Sequence, residues 1–127
     1  MHGILLFAHG ARDPAWARPF LSIAARMREL HTDGPVELAY LELMEPRLDT
    51  AVDQLVQAGC QQVTVVPLFL GAGGHVRRDL PALLDGLRQR HADLVLQSTC
   101  AIGESDAVIT ALADAAFGLA LQESRGA

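Results

Sequence analysis

The stretch VTVVPLFLGAGGHVRRD, residues 63–79, indicates the fold more clearly than any other part of the chain. It begins with the compact apolar run Val63–Val66 and turns into a glycine-rich corner at residues 71–74, after which a leucine-rich segment follows. A buried strand that leads through a glycine turn into a helix is the arrangement at which open α/β sheets place their ligand sites. His75 directly follows the last glycine, and a histidine there can act as a metal ligand or as a base.

The alternation of a strand with a helix recurs along the whole chain. Apolar runs predict strands at 4–8, 36–43, 63–68 and 94–98, and each is followed by apolar residues at helical spacing. Strands that alternate with helices form a parallel sheet with helices on both faces. We therefore predict an α/β fold in three layers, α/β/α, around a four-stranded parallel sheet, similar to half of a flavodoxin-like domain.

The predicted helices begin near Pro19, Pro46, Leu80 and Ser105, with Asp79 as the N-cap of the third. The last helix has an apolar stripe that we expect to be buried, formed by Val108, Ile109, Leu112, Ala116 and Leu119. The chain shows no linker and no low-complexity segment. Residues 1–127 are therefore predicted to be one domain, with a disordered tail from about residue 122.

Composition excludes several classes of partner. The net charge of −5 gives no support to nucleic-acid binding. No apolar run reaches the roughly 18 residues of a membrane span, and the first residues lack the basic region of a signal peptide, so a cytoplasmic location is predicted. Cys60 and Cys100 form no C-x-x-C pair and are expected to be reduced thiols.

Candidate catalytic residues come from the carboxyl ends of the predicted strands, because these ends meet at one crevice. His9 follows the first strand and His75 follows the third, so we expect two imidazoles to converge with a carboxylate. Either histidine alone could be a structural polar group; the pair indicates a site. Two imidazoles and a carboxylate suit a first-row divalent metal, and a neutral imidazole also accepts protons near pH 7.

Two glutamates compete for the carboxylate role. Glu42 lies near the end of an otherwise apolar strand, on the same predicted face as Tyr40, and packing gives no reason for a charge there. Glu45 precedes Pro46, where a negative charge is favourable simply because a helix begins. We therefore favour Glu42 and keep Glu45 as the second choice.

The glycine-rich corner matches neither the Walker A loop nor G-x-G-x-x-G, so no nucleotide is predicted. Gly73 and Gly74 could instead let a large flat ligand approach the backbone. Three arginines, Arg12, Arg77 and Arg78, are expected on the same rim, where they could bind carboxylates. At least one of the three is expected to be an ordinary solvated side chain.

Three motifs, LLFAHGARDP, YLELMEP and VVPLFLGAGGHVRRDLP, together with the weaker AIGES, resemble the short CbiX type of sirohydrochlorin cobaltochelatase, among the class II chelatases that include SirB-like enzymes. The resemblance implies a chelatase-like fold and a lyase that inserts a divalent metal without ATP, usually Co²⁺ into sirohydrochlorin for cobalamin. Relatives insert iron for sirohaem, or nickel.

The resemblance also implies roles for individual residues. His9 and His75 correspond to the paired active-site histidines and Glu42 to the acidic residue, while Arg12, Gly73, Gly74, Arg77 and Arg78 are candidate contacts for an anionic tetrapyrrole. Such a donor set accepts Co²⁺, Ni²⁺, Fe²⁺ or Zn²⁺ as substrate. Short members pair as homodimers.

One departure from the family pattern is Ala11, which stands where many members have serine. The missing hydroxyl keeps open an alternative in which the protein binds a divalent metal or a tetrapyrrole without turnover. A flavodoxin-like or receiver-like binding module is a further alternative, but it requires a phosphate-cradling hydroxyl loop or a phosphorylatable aspartate after the first strand. The sequence His9-Gly10-Ala11 offers neither.

Overall fold

The computed structural model describes residues 1–71 and 73–126, with the side chains of residues 75, 125 and 126 outside the description. Its strands and helices follow one another as β1 (His2–Ala8), α1 (Arg18–Leu30), β2 (Val36–Tyr40), α2 (Leu48–Gln57), β3 (Gln62–Pro67), α3 (Gly74–Arg90), β4 (Val95–Ser98) and α4 (Asp106–Gly126). Short 3₁₀ turns at Pro14–Ala17 and Ile102–Glu104 precede α1 and α4. The predicted order of elements is confirmed.

The four strands form one sheet in the order β2-β1-β3-β4, and every neighbouring pair is parallel. β1 lies at the centre, with Leu6 beside Leu38 of β2 on one side and Val66 of β3 on the other. The carboxyl ends of β1 and β2 consequently meet at one edge of the sheet. The predicted α/β class with a four-stranded parallel sheet is confirmed.

Each face of the sheet carries its own apolar cluster. On the α1 face, Ala24 of α1 packs with Leu6 and Ala8 of β1 and with Val36, Leu38 and Tyr40 of β2. On the opposite face, which we call the α2–α3 face, α2 and α3 cover residues of all four strands, including Leu5, Phe7, Ala39, Val63, Val65 and Leu96. Apolar residues that alternate along each strand account for this division.

The two halves of the chain are related by an approximate half-turn about an axis between β1 and β3. This rotation brings β1, α1 and β2 onto β3, α3 and β4, and it exchanges the two faces of the sheet. A repeated contact marks the relation: Arg28 Nε donates to the carbonyl oxygen of Val36 at 2.9 Å, and Arg88 Nε to that of Leu96 at 3.0 Å. Each arginine thereby holds the end of its helix against the following strand.

The fourth helix departs from this relation. α2 is buried against β1 and β2, whereas α4 makes its substantial contact, within the described chain, only with the Ile102–Glu104 turn. The expected burial of its apolar stripe is therefore wrong for the single chain: Val108 is half-buried, while Ile109, Leu112, Ala116 and Leu119 are exposed. Periodicity identifies an apolar face but does not identify what covers it.

Two element boundaries differ clearly from the prediction. β2 ends at Tyr40, because the chain bends after it and Leu43 has a φ of 66°, which a strand does not tolerate. α3 begins at Gly74 and not near Leu80, so Gly73 and not Asp79 is its N-cap. Glycine is a poor helix former, so local propensity alone does not favour a helix that starts in the glycine-rich corner.

No helix among the described residues is both long and apolar enough to cross a bilayer. α4 continues to Gly126, and the disordered tail from about residue 122 stays a prediction.

Candidate functional site

His9 and Glu42 meet at the carboxyl edge of the sheet. His9 follows β1, Glu42 lies in the bend after β2, and His9 Nε2 is 3.4 Å from Glu42 Oε1. Both side chains are about half exposed, at 52% each. The structure thus brings together two of the three principal candidate residues, with the two atoms within ion-pair distance of each other.

Backbone hydrogen bonds set this distance. Leu41 N donates to the carbonyl oxygen of Ala8 at 2.9 Å, and Glu42 N donates to that of His9 at 3.1 Å. These bonds extend the contact between the two chain segments beyond the end of β2. Glu42 is therefore positioned by the neighbouring loop. The sequence had instead suggested that strand alternation would place it.

Gly10 is required for this close approach. Its φ is +94°, and a Cβ atom at this position would lie 1.9 Å from the carbonyl oxygen of Glu42. Any side chain would force the two loops apart and would also strain the backbone. Sequence reasoning assigned no role to Gly10, although its position directly after a histidine at a strand end was a usable signal.

The end of β3 supports the imidazole of His9. The ring of Phe69 meets that of His9 edge to face at a centroid distance of 6.2 Å, and it meets Phe7 in the same manner at 5.8 Å. Phe69 is itself buried. This aromatic support, which sequence analysis missed, limits the positions that the His9 ring can occupy.

Glu45 remains near the site but in a different relation to it. Glu42 and Glu45 both line a cleft of about 1050 Å³ between α2 and α3, whose other lining residues include Tyr40 and Leu48. Burial raises the pKa of the Tyr40 phenol, whose side chain packs in the apolar cluster on the α1 face. Glu42 is distinguished from Glu45 by its contact with His9.

His75 is the second residue of α3, so it lies in a helical turn and not in the loop that the sequence suggested. Its side chain lies outside the described part of the structure, and its convergence with His9 stays a prediction. A position in the first turn of a helix favours binding of negative charge nearby.

The three candidate arginines have different surroundings. Arg12 is exposed in the loop that also carries His9. Arg77 Nη2 lies 3.8 Å from Glu104 Oε1, and Arg78 Nε donates to the carbonyl oxygen of Gly74 at 3.1 Å. The pair formed by Arg77 is mostly solvated and therefore weak, so its guanidinium could turn to another anion at little cost.

The glycines of the corner are not required by packing within the described chain. A Cβ atom at Gly73 or Gly74 would meet no described atom within 4 Å. Gly103 differs, because a Cβ there would lie 1.8 Å from the carbonyl oxygen of Leu70. The approach of a flat ligand to Gly73 and Gly74 stays a prediction.

The other histidines have structural partners. His2 Nε2 lies 2.8 Å from Thr64 Oγ1, His31 Nε2 bonds the carbonyl oxygen of His2 at 2.6 Å, and His91 Nε2 lies 2.7 Å from Asp53 Oδ1. His31 and His91 are also the C-cap residues of α1 and α3. Both cysteines are free thiols, with Cys60 buried and Cys100 exposed.

The described donors fall short of a closed metal site. Among side chains that the structure describes, no group of three or more His, Cys, Asp or Glu residues is placed to hold a metal ion. His9 and Glu42 offer one nitrogen and one carboxylate, with open positions for further ligands. Such a pair suits transient binding of a cation, or proton transfer, better than permanent binding of a structural metal.

Comparison with known proteins places this geometry in a family context. A family model described as CbiX matches residues 3–117. A sirohydrochlorin cobaltochelatase of Methanocaldococcus jannaschii is 32% identical over 91 residues, which cover 72% of this chain and 64% of the relative. Another, of Sulfolobus acidocaldarius, is 38% identical over 82 residues, 64% of each chain. The matches thus span less than two thirds of these curated relatives.

Solved structures show the same fold. A cobalamin (vitamin B12) biosynthesis CbiX protein of Marinobacter aquaeolei VT8 superposes with a TM-score of 0.84 at 35% identity, covering 96% of this chain and 99% of that one. The sirohydrochlorin chelatase SirB of Bacillus subtilis subspecies spizizenii, solved in complex with cobalt, has a TM-score of 0.76 at 24% identity. That match covers 87% of this chain and 47% of the SirB chain.

Proposed function

This chain belongs to the CbiX family. On that premise we propose that it inserts a divalent metal ion into sirohydrochlorin without ATP, with Co²⁺ as the favoured metal. Similar proteins from Methanocaldococcus jannaschii and Sulfolobus acidocaldarius bear the name sirohydrochlorin cobaltochelatase, which supports the substrate class. The observation that carries the proposal is the 3.4 Å approach of His9 Nε2 to Glu42 Oε1 at the carboxyl edge of the sheet.

The reaction replaces two pyrrole protons by one divalent cation, so the site must supply proton acceptors as well as metal ligands. In our proposal the neutral His9 imidazole accepts one of these protons at Nε2, and the Glu42 carboxylate stabilises the imidazolium that results. His75 takes the second proton or holds the incoming metal. Because protons leave and the metal enters at the same groups, the two steps are coupled.

Carboxylates on the tetrapyrrole require positive partners, although the protein as a whole is acidic. Arg12, on the loop of His9, is the most accessible candidate. Arg77 can leave its weak pair with Glu104, and the N-terminus of α3 adds a favourable dipole. Arg78 is held by its own helix and is the weakest of the three candidates.

A spectrophotometric assay of Co²⁺ insertion into sirohydrochlorin tests the proposal. We expect His9→Ala to reduce kcat/KM by about 10²-fold or more, the usual loss of a general base. His75→Ala should cause a similar loss with an unchanged circular dichroism spectrum. Wild-type turnover in either variant would contradict the assigned role.

Glu42→Gln has a matched control in Glu37→Gln, since both glutamate side chains are 52% exposed and both lie on or just after β2. We expect Glu42→Gln to lower kcat/KM by about 10-fold or more, which is the usual loss when a group that orients a ligand is removed. The control should stay near the wild type. If Glu45→Gln is impaired and Glu42→Gln is not, the second-choice acid is the functional one.

The second candidate function is binding of a divalent metal or a tetrapyrrole without turnover. Ala11, which lacks the hydroxyl of many family members, is the observation that favours it. It predicts saturable binding in the same assay with no spectral change due to metal insertion. A panel of Co²⁺, Ni²⁺, Fe²⁺ and Zn²⁺ then separates an enzyme with another metal from a binding protein.

We also propose that the enzyme works as a homodimer in the cytoplasm. The match to SirB covers 47% of that chain, so one copy of this domain corresponds in fold to about half of a SirB molecule. A second copy would supply the other wall of the substrate crevice. Light scattering on the purified protein gives the mass that tests this proposal.

A further inference from the structure

The two halves of the chain related by the half-turn also keep a constant spacing in sequence. We call β1, α1 and β2 the first half, and β3, α3 and β4 the second half. Arg28 and Arg88 are 60 residues apart, and so are the residues whose carbonyl oxygens accept from them, Val36 and Leu96. The C-cap positions of α1 and α3 have the same spacing. Each residue of the first half therefore has a counterpart 60 positions later.

In the first half, large side chains fill the space between the start of the helix and the end of the sheet. The rings of Trp16 and Phe20 lie with their centroids 4.5 Å apart, and both pack against the apolar cluster of the α1 face. Met44 packs against the same cluster. Leu38 of β2 belongs to it and is 7% exposed. Four large apolar residues therefore occupy this place.

In the second half, the counterparts of these four residues are smaller or polar. In the same order they are Val76, Leu80, Glu104 and Ser98. All four line a cavity of about 350 Å³ between α3 and the ends of β3 and β4, which we call the α3–β4 pocket. Leu84 is larger than its counterpart Ala24, yet the cavity remains. Its volume lies within the range of about 300–1,000 Å³ that is usual for small-ligand sites.

The walls of the α3–β4 pocket suit an apolar body that carries a negative charge. Its apolar lining includes Phe69, Leu80 and Leu84. Arg77 also lines the pocket, and its Nη2 lies 3.8 Å from Glu104 Oε1. Both of these charged side chains are exposed, so their pairing is weak. A carboxylate that enters the pocket can therefore take the place of Glu104 beside the guanidinium.

The α3–β4 pocket shares a wall with the catalytic pair. The ring of Phe69 lines the pocket and also meets the His9 ring edge to face, at a centroid distance of 6.2 Å. Phe69 is the counterpart of His9, so the two residues follow neighbouring parallel strands at equivalent points. A macrocycle whose centre lies beside His9 is therefore close enough for its outer edge to reach the pocket.

We propose that the α3–β4 pocket receives the outer edge of one ring of the tetrapyrrole, with a carboxylate arm of that ring paired to Arg77. This inference rests on the proposed function and names residues that select its substrate. Because an apolar cavity that stays empty lowers stability, the open space in the second half is better explained by a ligand than by packing. Val76, Leu80 and Ser98 leave room for the ring edge and contact none of the reacting atoms. The pocket therefore contributes to substrate affinity and not to the rate of metal insertion.

Replacing pocket residues by their counterparts closes the pocket with side chains that the first half already accommodates. Val76→Trp introduces the side chain of Trp16, and Ser98→Leu introduces that of Leu38. Rates of Co²⁺ insertion at varied sirohydrochlorin concentration give kcat and KM, and titration with metal-free sirohydrochlorin gives Kd.

We expect Val76→Trp to raise KM and Kd by about 10-fold or more, with kcat within about twofold of the wild type. Ser98→Leu should raise KM and Kd by a smaller factor. Gln89→Trp is the control, because Gln89 is exposed near the end of α3 and does not line the pocket. It should match the wild type in all three constants.

Circular dichroism shows whether each variant folds, and Ser98→Leu, at an exposed strand position, decides the question if Val76→Trp does not fold. If the wild type inserts cobalt and the folded pocket variants keep its KM and Kd, the pocket assignment is overturned and the proposed function stands. A lower kcat at unchanged KM also overturns the assignment, because it shows that the pocket shapes the catalytic pair and does not hold substrate.

The opposite case is also distinguishable. If the wild type binds sirohydrochlorin without inserting metal, the proposed function fails, while a raised Kd in the pocket variants still supports the assignment. A wild type that binds no sirohydrochlorin overturns both.

Discussion

α2 and α4 follow the two outer strands of the sheet and would occupy equivalent places, yet they differ completely in burial. Ala51, Val52 and Leu55 of α2 are buried in the core, whereas Ile109, Leu112 and Leu119 of α4 are exposed. Both helices repeat apolar residues at helical spacing. The difference teaches that an amphipathic pattern states which side of a helix needs a partner, while the connections of the chain decide where that partner is found.

The connections explain the contrast. α2 is fixed at both ends, because β2 before it and β3 after it both lie in the sheet. Its apolar side therefore has little choice of neighbour. α4 is attached through Ser105 to one anchored turn, and no later strand of the described chain returns to the sheet. Its apolar side remains available to another molecule.

The largest effect that would sharpen this comparison comes from matched truncations of buried and exposed leucines. Leu55→Ala should lower the free energy of unfolding by about 3 kcal/mol, because it creates a cavity in the core. This loss should be the same at every protein concentration. Leu112→Ala should instead destabilise the protein only where copies pair, so its effect should fade on dilution.

Urea unfolding at two protein concentrations, about a hundredfold apart, separates the two cases. If Leu112→Ala costs as much at the lower concentration as at the higher, α4 packs within its own chain and the contrast between the helices is broken.

An intermediate effect is expected at the junction that directs α4. Gly103→Ala would place a Cβ 1.8 Å from the Leu70 carbonyl oxygen, and we expect a loss of about 2 kcal/mol in stability as the two segments move apart. Gly118→Ala, within α4, is the matched control: its Cβ meets no described atom within 4 Å, and it should stabilise the helix by up to about 1 kcal/mol.

Thermal unfolding followed by circular dichroism measures both glycine variants. Equal melting temperatures for Gly103→Ala and the wild type would show that the turn is not rigid.

The smallest expected effect concerns the polar contacts that fasten α2 to the end of α3. Asp53 of α2 forms an ion pair with Arg90, and its Oδ1 is hydrogen-bonded to His91 Nε2 at 2.7 Å. Asp53→Asn should lower the free energy of unfolding by about 1 kcal/mol, because the contacts are only partly shielded from water. Asp114→Asn in α4 should change stability by less than about 0.5 kcal/mol. If the two variants lower the free energy of unfolding equally, polar contacts do not distinguish α2 from α4.

The sequence allowed the fold to be predicted because its strands are short apolar runs separated by clear helical periods. Parallel connectivity then placed His9 and Glu42 at the same edge of the sheet. Their contact could be anticipated from strand ends alone, although the bend after Tyr40 that positions Glu42 could not. That bend depends on hydrogen bonds between residues far apart in sequence, which local pattern does not record.

Other features were beyond the sequence for similar reasons. Phe69 supports His9 only because β1 and β3 are neighbours in the sheet. Gly10, and not the glycine-rich corner, is the glycine that the described packing requires beside the candidate acid. A run of glycines attracts notice in a sequence, whereas a single glycine pressed against a distant carbonyl is identified only by the folded chain.

The hydrogen bonds from Leu41 and Glu42 to the carbonyls of Ala8 and His9 have an evolutionary consequence. The backbone amides of Leu41 and Glu42 are hydrogen-bonded only while the two loops are together, so a lineage that loses this contact also loses their protection from solvent. Their rates of hydrogen–deuterium exchange therefore report how often the histidine and its acid separate.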